Sequence, residues 1–404
     1  MTTDSTRGPN GGPAASPAAS MLRHLTQHPS RIPGLVRGEF RQRVGVPLDR
    51  RRSSGKVGSP VNLDFNLTRR CNLSCTMCTQ HRHGSDPAAV PSWHEADREM
   101  SLNDWVRVLD EARAFRPVLS VTGGEPTVYA HFSEVITAAA QRGFFIQLLT
   151  NGLSLTRHAD LLVDQGAEVV IISLDGTREV HDSIRGQPGL FDRTIRNIRK
   201  LISVRDARGK PTPIVGLNFT ITRSNMHVIP DMVPLALELG VNSLQFQHTI
   251  WYTSEYVDGH NRVFADVARS HGVDVLEPSI PRGEYYESEI TAEDVPALIA
   301  NLATAKRTPR GRLRLAFLPN LSDEQIAPYY LDLNHSFPGK CNSLWKTLRI
   351  LPDGTVTPCL HVIAGNVRQQ SLAGIWNGPV MRNYRSIISE RFLPGCAHCC
   401  SRSY

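Results

Sequence analysis

Apolar positions along the chain switch between two rhythms. Short, nearly continuous apolar runs at residues 61–68, 118–121, 145–149, 168–174, 214–222 and 243–248 read as strands buried on both faces. Between them, residues 105–115, 132–142, 155–165, 190–204 and 228–239 carry apolar residues three or four apart, the spacing of amphipathic helices. Start and stop signals agree. Ser101 with Asp104 makes a capping box, and Gly143 and Gly166 close two of the helices. Six strand–helix repeats by about residue 300 predict an α/β fold around a parallel sheet. A partial (β/α)6 TIM-type barrel and a flat doubly wound sheet both satisfy the pattern, and in either case ligands bind at the C-terminal strand ends. Beyond residue 300 the rhythm changes. Residues 346–351 and 355–358 flank Pro352-Asp353-Gly354 as a hairpin, and residues 379–390 form a helix. The expected division is a tail over 1–57, a barrel over 58–300 and a small α+β domain over 301–404.

Charge changes the picture only at the start of the chain. Residues 1–57 hold ten Arg and Lys against Asp4, Glu39 and Asp49, which accounts for the whole net charge of +7. This stretch is rich in Gly, Pro, Ser and Ala and is expected to be a disordered basic tail. It lacks interleaved aromatics, so nucleic acid is not an expected partner. No apolar run nears the ~20 residues of a membrane span, and no signal-peptide core is visible. A cytoplasmic protein with no membrane association is therefore expected.

The eight cysteines form two distant groups, which in a cytoplasmic protein points to metal rather than disulfides. Cys71, Cys75 and Cys78 follow the first predicted strand. Three thiolates leave one iron of a cubane open to a small molecule. A zinc site would need a fourth ligand, and His81, His83 and His94 are near in sequence. The second group is Cys341, Cys359, Cys396, Cys399 and Cys400. Four thiolates suit one further cubane or a structural zinc, and either metal would help hold a module with so little core.

In the spacing Cys71-x3-Cys75-x2-Cys78, the chain resembles the radical S-adenosylmethionine superfamily. Other signatures of that family follow in order: Gly123-Gly124-Glu125-Pro126, Thr150-Asn151-Gly152, Ser173-Leu174-Asp175-Gly176 and His181-Asp182-Ser183-Ile184-Arg185-Gly186. The resemblance implies a 4Fe–4S cluster on Cys71, Cys75 and Cys78. It implies S-adenosylmethionine held by Met77, Gly123, Gly124, Glu125, Pro126, Asn151, Ser173, Asp175, Arg185 and Asn218, with Met77 against the adenine and Arg185 pairing with the methionyl carboxylate. Gln245 and Gln247 join the mouth if their parity is right. The C-terminal cysteines resemble Twitch and SPASM extensions. That likeness implies one auxiliary 4Fe–4S cluster on Cys341, Cys359, Cys396 and Cys399. Cys400 is then left over as an inert residue or a hydrogen donor, or it exchanges roles with Cys399. The chemistry implied is a 5′-deoxyadenosyl radical that abstracts hydrogen, with flavodoxin or ferredoxin as electron donor. The leading expectation is oxidation of a secondary alcohol on a small, sugar-like or aminocyclitol-like molecule in specialised metabolism such as antibiotic biosynthesis. Epimerisation, or modification of a ribosomal peptide, is the alternative.

Overall fold

The computed structural model describes residues 26, 29–52, 54–78, 99–270, 288–335, 337–359, 362–399 and 402–403. Its centre is one sheet. Strands β1 (Asn62–Asn66), β2 (Val118–Thr122), β3 (Phe145–Thr150), β4 (Val169–Ser173), β5 (Ile214–Ile221) and β6 (Ser243–His248) lie side by side in chain order and all run parallel. Register follows the pleat. Leu63, Phe65, Leu119, Val121, Ile146, Leu148, Val170 and Ile172 point outward to the helices and are fully buried, while the alternate positions line the inner face. That inner row is polar: Asp64, Ser120 and Gln147 align in register, as do Ser173, Asn218 and Gln245. Asn62, Asp64 and Gln247 border one cavity although β1 and β6 are five strands apart. The sheet therefore curls on itself, and a partial barrel replaces the flat alternative.

The crossover helices sit where their spacing placed them. They are α3 (Leu102–Ala112), α4 (Phe132–Gln141), α5 (Leu155–Asp164), α7 (Leu190–Ala207) and α8 (Ile229–Glu238), with the short α6 (Arg178–Arg185) between β4 and α7. The Ser101–Asp104 capping box is formed.

Two expected boundaries are corrected. The barrel sheet does not end near residue 300, because β7 (Arg314–Leu318) adds in parallel to β6. At the opposite edge β9 (Thr347–Ile350) pairs in parallel with β1, and the predicted hairpin to β10 (Thr355–Thr357) then extends the same sheet to β11 (Gly365–Asn366). The two-residue β8 (Lys340–Cys341) pairs with β12 (Arg402–Ser403). The C-terminal region, with its antiparallel strands β9 to β11, continues the barrel's hydrogen-bond ladder at that edge.

The second correction concerns the tail. Residues Ile32–Phe40 (α1) and Val46–Asp49 (α2) are helical, joined by a π-turn over Arg41–Gly45. Composition alone suggested disorder. The helices are instead anchored by buried side chains: Arg31 pairs with Glu168 and bonds the Gln165 carbonyl, Val46 enters the main core, and Asp49 accepts from Gly58 N–H at 2.8 Å. Among the described residues no helix is long and apolar enough to cross a membrane.

Candidate active site

The segment carrying Cys71, Cys75 and Cys78 leaves β1 and is held from three sides. From β2, the Gly124 and Glu125 amides donate to the Thr68 and Arg70 carbonyls at 2.7 and 2.9 Å. A Cβ on Gly124 would lie 2.4 Å from the Arg70 carbonyl oxygen, and one on Gly123, whose φ is +152°, 2.5 Å from that of Thr68. The glycines are thus needed because the cysteine segment passes over them. From β3, Asn151 donates to Asn72 Oδ1 at 2.8 Å and approaches Cys71 Sγ at 3.9 Å. From α6, the Ile184 carbonyl accepts from Thr76 N–H at 2.9 Å, and left-handed Gly186 turns the chain beside Ser74. The three cysteines then share one apolar nest with Leu73, Leu153 and Leu190.

Burial pushes the Cys71 thiol up to about 11 and raises that of Cys75, against the pull of Arg185. Such thiols hold their protons at neutral pH until a metal displaces them. A three-thiol apolar nest with a polar strand-end rim fits a cluster with one open iron. Among the described residues no three Cys, His, Asp or Glu converge as they would on one ion. His81, His83 and His94 lie outside the described residues.

The predicted cofactor residues divide in two. Glu125 bonds within its own chain. Its carboxylate accepts from Thr127 N–H and hydroxyl at 3.2 and 2.6 Å, from the Thr150 hydroxyl at 2.8 Å and from Asn151 N–H at 2.8 Å. It ties the end of β2 to the end of β3. Arg185, expected at the methionyl carboxylate, is buried against Asp175 and reaches Cys75 Sγ at 3.6 Å. Asp175 also accepts from Thr220 N–H at 2.8 Å, joining β4 to β5. His181 accepts from Asp175 N–H at 3.2 Å, and burial lowers its pKa to about 4, so it is neutral. Pro126 is buried at the start of a 3-10 turn. Ser173, Asn218, Gln245 and Gln247 do face the inner surface, with Gln245 donating to Asn218 Oδ1 at 2.8 Å. Met77 packs against the cluster of Trp251, Tyr252, Val257 and Leu333.

The second group meets the barrel in a cavity of about 370 Å³. Its wall includes Cys341, Cys359, Cys396 and Cys399 together with Asp64, Gln247 and Arg349 from the inner sheet face. Cys400 lies outside the described residues. Tyr384 places its hydroxyl 3.4 Å from Cys359 Sγ, and burial holds that phenol protonated, so it would donate to the sulfur once a metal replaces the thiol's proton. Just before Cys396, three side chains four residues apart clamp the chain. Tyr252 donates to the Gly395 carbonyl at 2.8 Å, Tyr256 donates to the Pro394 carbonyl, and His260 Nδ1 accepts from Gly395 N–H at 2.9 Å. Tyr252 precedes α9 (Ser254–Ser270) and Tyr256 and His260 lie within it, on a helix whose buried face carries Val257, His260 and Phe264. Burial raises the Asp64 carboxyl, partly offset by Arg349 at 4.0 Å. Sequence reasoning missed Asp64, Arg349 and Tyr384, and it gave the 252/256/260 row no role in holding the C-terminal cysteines. Only the i, i+4 spacing of the last was visible beforehand.

Comparison with known proteins finds family matches over two stretches of the chain. Residues 65–221 match the model of the radical SAM superfamily, and residues 341–400 match that of an iron–sulfur cluster-binding domain. Similar proteins include the tungsten-containing aldehyde ferredoxin oxidoreductase cofactor-modifying protein of Pyrococcus furiosus, 24% identical, with 84% of this chain and 87% of that protein aligned. PqqA peptide cyclase of Ruegeria pomeroyi is 28% identical over 86% of this chain and 81% of its own. Among solved structures, Streptococcus suis SuiB bound to precursor peptide SuiA superposes with a TM-score of 0.57 at 16% identity, covering 81% of this chain and 67% of that one. This last likeness speaks to the fold.

Proposed function

We infer from the chain's membership of the radical SAM superfamily, with a C-terminal iron–sulfur cluster-binding domain, that it modifies a peptide by radical chemistry. When bound, S-adenosylmethionine and its cluster supply a 5′-deoxyadenosyl radical that takes a hydrogen atom from an unactivated carbon. The chain's own residues shape where that happens. The observation that carries the reading is the single cavity shared by the barrel's inner face and the four C-terminal cysteines. A substrate seated against this wall would have both the inner sheet face and the C-terminal cysteines as neighbours. Cys341, Cys359, Cys396 and Cys399 would hold one auxiliary cluster, a neighbour able to accept an electron from the substrate. Asp64 stands in the same wall, a carboxyl with a raised pKa and so suited to receiving the accompanying proton.

The expectation of a sugar-like alcohol gives way to a peptide. PqqA peptide cyclase, similar over most of both chains, is named for a peptide substrate, and the fold is also that of SuiB, solved with a precursor peptide. The test is 5′-deoxyadenosine release under reductant, in the presence of peptide pools or of polyol and aminocyclitol pools. Stimulation by peptides and transfer of peptide deuterium into 5′-deoxyadenosine is the expected result. Stimulation by polyols alone would return the enzyme to alcohol oxidation.

A further inference from the structure

The N-terminal helix exposes an apolar row. Ile32, Val36, Phe40, Val44 and Leu48 stand four residues apart and are 37%, 63%, 61%, 41% and 51% exposed. They are half of the ten large apolar side chains exposed among the described residues. The opposite side of the same helix is the one that docks, through Gly45, Val46 and Asp49. In a regular α-helix an i, i+4 row drifts roughly 40° per step. The π-turn at Arg41–Gly45 under-winds the helix midway and offsets that drift, so the row stays a ridge. It is about 24 Å long at 1.5 Å per residue. Exposed Arg37, Arg43, Arg51 and Arg52 lie beside or just beyond it, with Glu39 and Asp49 as the only acidic residues of α1 and α2.

We propose that this ridge binds an acidic helical segment of the peptide substrate, a contact that rests on the peptide reading above and names where such a substrate is held. Two features choose a helix over a lipid surface. A helix lying in a membrane interface presents a broad apolar face. Among the described side chains the exposed large apolar residues of α1, the π-turn and α2 form one i, i+4 row, and a single i, i+4 ridge is what packs into the groove of another helix. The basic surround then selects a partner with acidic residues beside its apolar row, and its attraction is screened by salt. The same helices hold the auxiliary site: Arg50 of the α2 terminus donates to the Cys341 carbonyl and stacks over Trp345 at 4.5 Å. A bound segment is thus tethered to the body that carries the cavity.

The test is selection of a displayed, randomised 20-residue peptide library on the intact, cluster-loaded protein, with V36D/F40D and R37E/R43E as counter-targets. The expected winners are acidic peptides with apolar residues at i, i+4 spacing. They should bind at least 10-fold more weakly to both variants and weaken as salt rises. Iron content and basal S-adenosylmethionine cleavage should be unchanged in the variants, which shows that they fold. Equal binding to wild type and variants, winners without the acidic pattern, or no enrichment would overturn the proposal. So would phosphatidylserine vesicles binding wild type but not V36D/F40D when peptides do not. If peptide pools still stimulate 5′-deoxyadenosine release while the ridge selects nothing, only the ridge proposal falls. Enrichment on the ridge with no peptide stimulating release would instead remove the peptide reading of the active site.

Discussion

Replacing Glu125 with glutamine separates two roles for this residue. Its carboxylate accepts four hydrogen bonds, three on one oxygen and one, from Asn151 N–H, on the other. In E125Q the amide oxygen would keep the three-donor side, and the new NH2 would face the Asn151 amide, donor against donor. A charge-assisted bond worth about 1.5–3 kcal/mol is lost and a buried N–H is left unpaired, so the local cost is about 2–4 kcal/mol. The assay is hydrogen exchange of peptides spanning Asn151. Protection there should fall ~30- to ~700-fold by that arithmetic. E134Q, at an exposed glutamate beside His131, should change it less than about twofold. S-adenosylmethionine binding should weaken only in step with the loosened strand ends. Unchanged protection in E125Q together with lost cofactor binding would refute the reasoning and give Glu125 to the ligand, as the family resemblance implied.

Three further outcomes follow from the same geometry. Tyr384→Phe removes a donor 3.4 Å from Cys359 Sγ, so the auxiliary cluster should become harder to reduce by ~40 mV, about 1 kcal/mol for one electron, in an EPR redox titration. A shift in the Cys71/Cys75/Cys78 cluster instead would contradict this placement. Arg185→Met strands the buried Asp175 carboxylate and should cost about 3–5 kcal/mol in chemical denaturation, while the D175N/R185M pair should recover part of the loss. Additive effects would mean that the two residues do not act together. Finally, Cys71 is pushed up to about 11 and Cys75 is also raised, so cluster assembly must release protons. Iron uptake into the first site should rise steadily with pH across the neutral range, and a flat profile would contradict protonated thiols.

The barrel was largely legible in the sequence because its strands are short, apolar and bounded by glycines. Residues 243–248 were read with the bounds found, and the helix at 379–390 likewise. Strand β7 escaped because Arg314–Leu318 is an edge strand whose residues are all partly or well exposed, leaving no buried run to see. The N-terminal helices escaped because composition averages over their inner face, and Arg31, Val46 and Asp49 are buried only through partners far along the chain. The residues of the site were legible in the sequence, but not the partners that their own chain supplies. Gly123 and Gly124 read as room for a ligand, yet the nearest constraint on them is the chain's own segment 68–70. Arg185 read as a ligand contact, yet its partner Asp175 was another member of the same motif set. Asp64 and Arg349 carry no motif, and only the parallel pairing of β1 with β9 brings them together.

The most direct measurement is iron and acid-labile sulfide per chain after anaerobic reconstitution of wild type and of the C71A/C75A/C78A variant. The expected values are about eight irons and about four, with the remaining four lost on further substitution of Cys341 and Cys359. About four irons in wild type, none in the triple variant and one zinc in both would contradict an auxiliary cluster in the shared cavity, and with it electron acceptance by the C-terminal cysteines.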